Sequence, residues 1–148
     1  MVTIKESHSA EDTWRIGYEQ AKQAGSGDVF CLVGDLGVGK TVFAQGFGAG
    51  MGVEDYINSP TFTIVQVYEE GRIPLFHFDV YRIADEEELT EIGFDDMIDG
   101  EGVSLIEWAN LIPYSLPKRY KEIRIEKDPE QGYDYRRITI TNMEGKQR

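Results

Sequence analysis

Residues 34–41 read GDLGVGKT and match the phosphate-binding pattern G-x-x-x-x-G-K-[ST] at every fixed position. In this pattern the backbone amides curl around phosphate oxygens, and the helix that follows points its positive end at the same charge. Lys40 would neutralise the β and γ phosphates, and the Thr41 hydroxyl would ligate Mg²⁺. The sequence therefore predicts a nucleoside triphosphate site with these loop residues: Asp35, Leu36, Gly37, Val38, Gly39, Lys40 and Thr41.

The flanking residues support this prediction. Residues 29–33 read VFCLV, an apolar run that is typical of a strand buried on both faces. Cys31 lies in this run and is expected to be a small, inert hydrophobic residue. After the loop, apolar residues recur at helical spacing until Gly50 and Gly52, where a helix would end. The loop is therefore predicted to join a buried strand to a helix.

Three further residues are candidates to complete the site. Thr61 follows Pro60 in a segment that is predicted to be extended, where a threonine can close over the γ-phosphate as a switch residue. Asp79 and Glu107 each end an apolar strand, which is where Mg²⁺ or the attacking water is held in such enzymes. His77 alternates with apolar residues, and packing is the more common role of such a histidine.

The remaining pattern favours an α/β fold. Ser9 and Asp12 resemble the start of a capped helix, and one face of that helix is marked by Trp14, Gly17, Tyr18, Ala21 and Ala24. Residues 61–68 and 73–80 are predicted to form an antiparallel hairpin, which makes the sheet mixed, and two more strands follow near residues 121–125 and 135–141. We predict a single P-loop NTPase domain over residues 1–148, with a central mixed sheet flanked by helices.

Composition restricts the partners. The chain of 148 residues has a net charge of −12, and residues 83–117 contain no Lys or Arg. Nucleic-acid binders usually carry a basic surface, so we expect no direct RNA binding and favour a protein partner with a basic surface. The chain has no apolar run of membrane-spanning length and no secretion signal at Met1, so a cytoplasmic location is expected.

Four motifs together resemble the TsaE family, the small bacterial ATPase of tRNA threonylcarbamoyladenosine biosynthesis. They are the phosphate loop, the segment NSPTFT at 58–63, the segment HFDVYR at 77–82 and the segment IEW at 106–108. The resemblance implies ATP and Mg²⁺ as cofactors and the proteins TsaB and TsaD as partners. It also implies that hydrolysis is weak in isolation and stimulated by the partners, and that TsaD transfers threonylcarbamoyl to tRNA.

The resemblance also implies residue roles. It assigns phosphate and Mg²⁺ contacts to Lys40 and Thr41, a switch to Thr61, a Walker-B-like acid to Asp79, and an essential acid that ligates Mg²⁺ to Glu107.

Two further residues are implied to lie at the nucleotide. Trp108 follows the essential acid, and Arg136 matches an arginine of the family in the last strand.

Two other functions use the same loop. A small-molecule kinase would need a mobile lid that carries arginine, and residues 83–117 offer none. A nucleotide-dependent switch with negligible hydrolysis is the other alternative. The guanine-reading sequence Asn-Lys-x-Asp is absent from the chain, which favours ATP over GTP.

Overall fold

The computed structural model describes residues 2–35, 37–54, 57, 60 and 63–145. In this part of the chain the strands form one seven-stranded sheet. The strands are β1 (Val2–Ser7), β2 (Val29–Val33), β3 (Val65–Tyr68), β4 (Leu75–Asp79), β5 (Val103–Glu107), β6 (Arg119–Lys127) and β7 (Arg136–Glu144). The helices are α1 (Ala10–Gln23), α2 (Lys40–Gly50), α3 (Glu88–Glu91) and α4 (Phe94–Ile98), with 3₁₀ turns at Ala109–Leu111 and Pro129–Gln131.

The sheet is mixed, as the sequence predicts. Its strand order is β1-β7-β6-β2-β5-β4-β3. The central strand β2 runs parallel to both β5 and β6, and β4 runs parallel to β5. The pairs β3–β4, β6–β7 and β1–β7 are antiparallel. Because β2, β4 and β5 are parallel, their carboxyl ends lie at the same edge of the sheet.

Helices cover both faces of this sheet, which confirms the predicted α/β architecture. On one face, α1 and α2 bury Ile16, Phe43 and Phe47 against strand residues such as Leu32 and Leu105. The second core lies on the opposite face, where the short helices α3 and α4 pack against other residues of the same strands. Its members include Leu89, Phe94, Cys31, Phe78 and Ile106. No helix in the described part of the chain is long and apolar enough to cross a membrane.

Helix α1 begins as predicted, and most of its predicted face is buried. The Ser9 side chain accepts a hydrogen bond from the Asp12 amide at 3.1 Å, which caps the first turn. Gly17, Ala21 and Ala24 of that face are buried, whereas Trp14 is 38% exposed. The reason is close helix packing: a Cβ on Gly17 would overlap the backbone of α2 at Phe43. This contact rotates α1 so that Ile16, rather than Trp14, enters the core.

The predicted hairpin is present, but its first strand is shorter than the predicted 61–68. Strand β3 begins only at Val65, after Ile64 adopts a left-handed backbone with φ 69°. A β-branched residue in that conformation interrupts a strand. Thr61 lies outside the described residues, as do Asn58, Ser59 and Phe62.

Candidate active site

The P-loop, residues 34–41, connects the end of β2 to the first turn of α2, as predicted. Gly37 and Gly39 have φ values of 77° and 114°, which residues with a Cβ rarely adopt. A Cβ on Gly34 would lie 2.8 Å from the carbonyl oxygen of Ile125 in β6. Glycine is therefore required at three positions, two for the turn of the backbone and one for its approach to the sheet. Leu36, the remaining predicted loop residue, lies outside the described residues.

Lys40 is a buried cation at the start of α2, with 7% of its surface exposed. Burial lowers the pKa of its ammonium group, and the negative charges of Glu107, Asp79 and Asp35 oppose that shift. All three acids are therefore close enough to Lys40 to act on its charge. Thr41 follows in the helix and is exposed, so its hydroxyl is accessible to a ligand.

The two predicted acids lie side by side. Asp79 ends β4 and Glu107 ends β5, and the two residues are register partners in the parallel pairing of these strands. Both are buried, with exposures of 3% and 4%. The Asp79 carboxylate accepts a hydrogen bond from the Tyr81 amide at 3.0 Å. The structure therefore brings both acids to the edge of the sheet that carries Lys40.

His77 is a site residue whose role the sequence analysis did not identify. It is packed in β4 as expected, with 1% exposure, but its Nε2 lies 2.7 Å from Oε2 of Glu107. Because side chains alternate along a strand, His77 points to the same face as Asp79. The sequence shows that His77 and Asp79 are two residues apart, but the pairing of His77 with Glu107 depends on the neighbouring strand.

Trp108 covers the lysine. It leaves β5 with a left-handed φ of 65°, and the centre of its ring lies 4.0 Å from Nζ of Lys40. This is a cation–π distance. The ring of Tyr81 packs against the Trp108 ring, with 4.8 Å between the two ring centroids. Trp108 is therefore in contact with the P-loop lysine, where the sequence analysis expected an aromatic residue beside the site.

The Arg136 side chain contacts the backbone of the P-loop. Its Nε donates to the carbonyl oxygen of Val38 at 2.8 Å, and its Nη1 donates to the carbonyl oxygens of Tyr133 at 2.9 Å and Tyr135 at 2.7 Å. The guanidinium thus ties the loop to the start of β7. The predicted role of Arg136 in binding nucleotide stays a prediction.

The donor set suits a nucleotide with Mg²⁺. Asp79, Glu107 and Thr41 offer hard oxygen ligands at one end of the glycine-lined loop. In the described residues no group of three or more His, Cys, Asp or Glu side chains forms a self-contained metal site. Mg²⁺ at nucleotide sites needs no such group, because it binds one or two carboxylates together with substrate phosphates and water.

The chain resembles known proteins over most of its length. The model of the family described as "Threonylcarbamoyl adenosine biosynthesis protein TsaE" matches residues 7–138. The tRNA threonylcarbamoyladenosine biosynthesis protein TsaE of Bacillus subtilis (strain 168) is 47% identical over 131 residues, which are 88% of this chain and 80% of that protein. The protein of the same name from Treponema pallidum (strain Nichols) is 42% identical over 112 residues, covering 76% and 82% of the two chains.

A solved structure agrees with these sequence relatives. The crystal structure of Bacillus subtilis YdiB superimposes with a TM-score of 0.82 at 37% identity, covering 98% of this chain and 87% of that one. The region matched by the family model contains the P-loop, both acids, His77 and Arg136.

Proposed function

Because the chain belongs to the TsaE family, we propose that it is an Mg²⁺-dependent ATPase that assists TsaB and TsaD in the threonylcarbamoyladenosine modification of tRNA. The observation that carries the proposal is the position of Lys40, buried at the start of α2 and facing Glu107 and Asp79. A cation and two carboxylates around a glycine loop are the groups needed to hold a triphosphate and activate water. Since the family's product is a tRNA nucleoside, we place the protein in the cytoplasm.

Binding is assigned to the loop and the start of α2. The backbone amides of the P-loop and the ammonium of Lys40 hold the β and γ phosphates. The Thr41 hydroxyl and the carboxylates hold Mg²⁺, which when bound offsets the negative charge on the phosphate oxygens. Trp108 must give way or reorient when phosphate approaches Lys40, since its ring covers that ammonium.

Hydrolysis is assigned to the two acids. Asp79 and Glu107 share the tasks of holding the metal and orienting the attacking water. Their carboxylates end adjacent strands, so one γ-phosphate can be reached by both. We keep Thr61 as the residue that closes over the γ-phosphate, as switch residues do in other P-loop enzymes.

ATP hydrolysis is proposed to act on protein partners. Residues 83–117 carry acidic side chains and no Lys or Arg, and the whole chain has a net charge of −12. Such a surface repels the phosphates of RNA and attracts a basic protein surface. The composition therefore supports a helper that binds TsaB and TsaD over a direct tRNA binder.

The test is ATP hydrolysis by the purified chain, alone and with TsaB and TsaD. We expect slow release of phosphate to water alone and faster release with the partners. The substitution Lys40→Ala should abolish nucleotide binding, and Lys121→Ala at the other end of the sheet is the matched control, because Lys121 packs near the ring of Phe30 instead. No stimulation by the partners would contradict the helper role.

A second pair of variants separates binding from hydrolysis. Glu107→Ala should lower the hydrolysis rate by about a hundredfold or more, the range of a general acid or base, with a much smaller effect on nucleotide affinity. Glu122→Ala in β6 is the control, since that acid pairs with Arg124 at 3.6 Å. Transfer of phosphate to a metabolite instead of water would identify a kinase.

A further inference from the structure

The buried pair formed by His77 and Glu107 has a use beyond packing. We propose that His77 is a positioning residue that holds the Glu107 carboxylate in its working orientation for ATP hydrolysis. This inference rests on the proposed function. Its central observation is the 2.7 Å distance between Nε2 of His77 and Oε2 of Glu107, in a pair whose side chains are 1% and 5% exposed.

The sheet register creates this contact. Asp79 is the partner of Glu107 in the pairing of β4 with β5, and His77 is the partner of Leu105. His77 and Asp79 share one face of β4 because they are two residues apart, and Leu105 and Glu107 share the same face of β5. The Glu107 carboxylate therefore has Asp79 beside it and can fold back along the sheet to the imidazole of His77.

The two acids of the site have different hydrogen-bond partners. Asp79 has a short side chain and accepts a hydrogen bond from the Tyr81 amide in the turn that follows β4. Glu107 has one more rotatable bond, and the backbone turns away directly after it, at the left-handed Trp108. A longer side chain loses more conformational freedom when it is fixed, so it gains more from a partner that fixes it before the nucleotide binds.

The other ring nitrogen shows that packing alone does not explain His77. Nδ1 is buried and has no hydrogen-bond partner among the described residues. A buried polar atom without a partner costs stability, and an apolar side chain of similar size would avoid that cost. The single hydrogen bond that the ring makes is directed at a carboxylate of the site.

The direction of the bond follows from the chemistry of the two groups. An ionised carboxylate only accepts hydrogen bonds, so Nε2 carries the proton of this bond. Groups that hydrogen-bond a metal-ligating side chain in this way typically contribute about tenfold to a hundredfold to activity. We expect an effect of about that size here.

The test compares two substitutions of His77 in the full chain with its partner proteins. His77→Leu keeps the apolar volume and removes the donor, so kcat for ATP hydrolysis should fall about tenfold to a hundredfold while KM changes little. In His77→Gln the amide nitrogen stands the same number of bonds from the backbone as Nε2, so this variant should recover most of the rate. His8→Leu is the matched control, because His8 is exposed and is the other histidine of the chain.

Two readouts separate positioning from a structural role. His77→Leu should have no further effect in a Glu107→Gln background. In the nucleotide-free protein, ring ¹H–¹⁵N correlations of His77 should show a proton on Nε2, and that signal should shift in Glu107→Gln.

Three results would overturn the inference. They are an unchanged kcat in His77→Leu, an equal loss in His77→Leu and His77→Gln, and a ring without a proton on Nε2. If the unmodified chain hydrolyses ATP with its partners but His77→Leu does so equally well, only the role of His77 fails. If the unmodified chain does not hydrolyse ATP at all, the proposed function fails and the role of His77 fails with it.

Discussion

The substitution Arg136→Met tests whether the P-loop is held in shape before the nucleotide arrives. Arg136 donates hydrogen bonds to the carbonyl oxygens of Val38, Tyr133 and Tyr135 at distances of 2.7–2.9 Å. Val38 lies between the two left-handed glycines of the loop and is itself buried. Methionine preserves much of the apolar stem of arginine but cannot donate to any of these oxygens, so the loop loses its link to β7.

The magnitude follows from the bond to Val38, since the other two bonds lie outside the P-loop. A hydrogen bond to a charged group contributes about 1.5–3 kcal/mol, and partial exposure of Arg136 reduces this to about 1–2 kcal/mol. If this energy orders the free loop, its loss appears in nucleotide affinity, because the nucleotide must then order the loop itself. We expect the affinity for a non-hydrolysable ATP analogue to fall about fivefold to thirtyfold.

The measurement is titration calorimetry of the analogue with Mg²⁺, together with a thermal unfolding curve for each variant. Arg137→Met is the matched control, because Arg137 is the next residue of β7 and pairs with Asp128 at 3.4 Å rather than with the loop. Arg136→Lys is the second comparison, since lysine keeps the charge but lacks the planar fork that serves several carbonyls. We expect Arg136→Lys to bind weakly and Arg137→Met to bind normally.

Three outcomes would refute this reasoning. Normal affinity in Arg136→Met would show that the bond to Val38 does not order the loop. Equal losses in Arg136→Met and Arg137→Met would indicate a general effect of positive charge. A loss far above thirtyfold, with recovery in Arg136→Lys, would mean that Arg136 contacts the nucleotide directly.

Two further predictions concern stability. Burial raises the pKa of the Cys31 thiol above its ordinary value of 9.0, so the unfolded chain loses this proton at a lower pH than the native protein. The free energy of unfolding should therefore fall as pH rises past 9, by about 1.4 kcal/mol at pH 10. Urea unfolding of Cys31→Ala should lack this part of the pH dependence. A Cβ on Gly46 would overlap the backbone of Trp14, so Gly46→Ala should destabilise the protein by about 3 kcal/mol as α1 is pushed from α2. Gly25→Ala is its control, because the nearest atom to a Cβ there lies 4.0 Å away, and similar unfolding midpoints for the two variants would contradict the close packing.

Much of the fold could be predicted from the sequence because it is written in local patterns. The apolar run before the P-loop and the glycines that end α2 each depend on neighbouring residues only, and both are found in the structure. The rotation of α1 that leaves Trp14 exposed was not predicted, although Gly17, Ala21 and Ala24 of the predicted face are buried. That rotation depends on how closely two helix backbones approach at Gly17, which periodicity along one helix does not contain.

The candidate site also combines features that local sequence patterns predict with features that depend on strand pairing. Motif spacing and strand length are properties of contiguous residues, so the sequence predicted the P-loop with Lys40 and Thr41 and located Asp79 and Glu107 at strand ends. It could not show that these acids are register partners, that His77 bonds to Glu107, or that Arg136 bonds to the Val38 carbonyl. These contacts join residues about 30 to 100 positions apart, so they depend on which strands become neighbours in the sheet and on their register, and a pattern read along one segment cannot specify either.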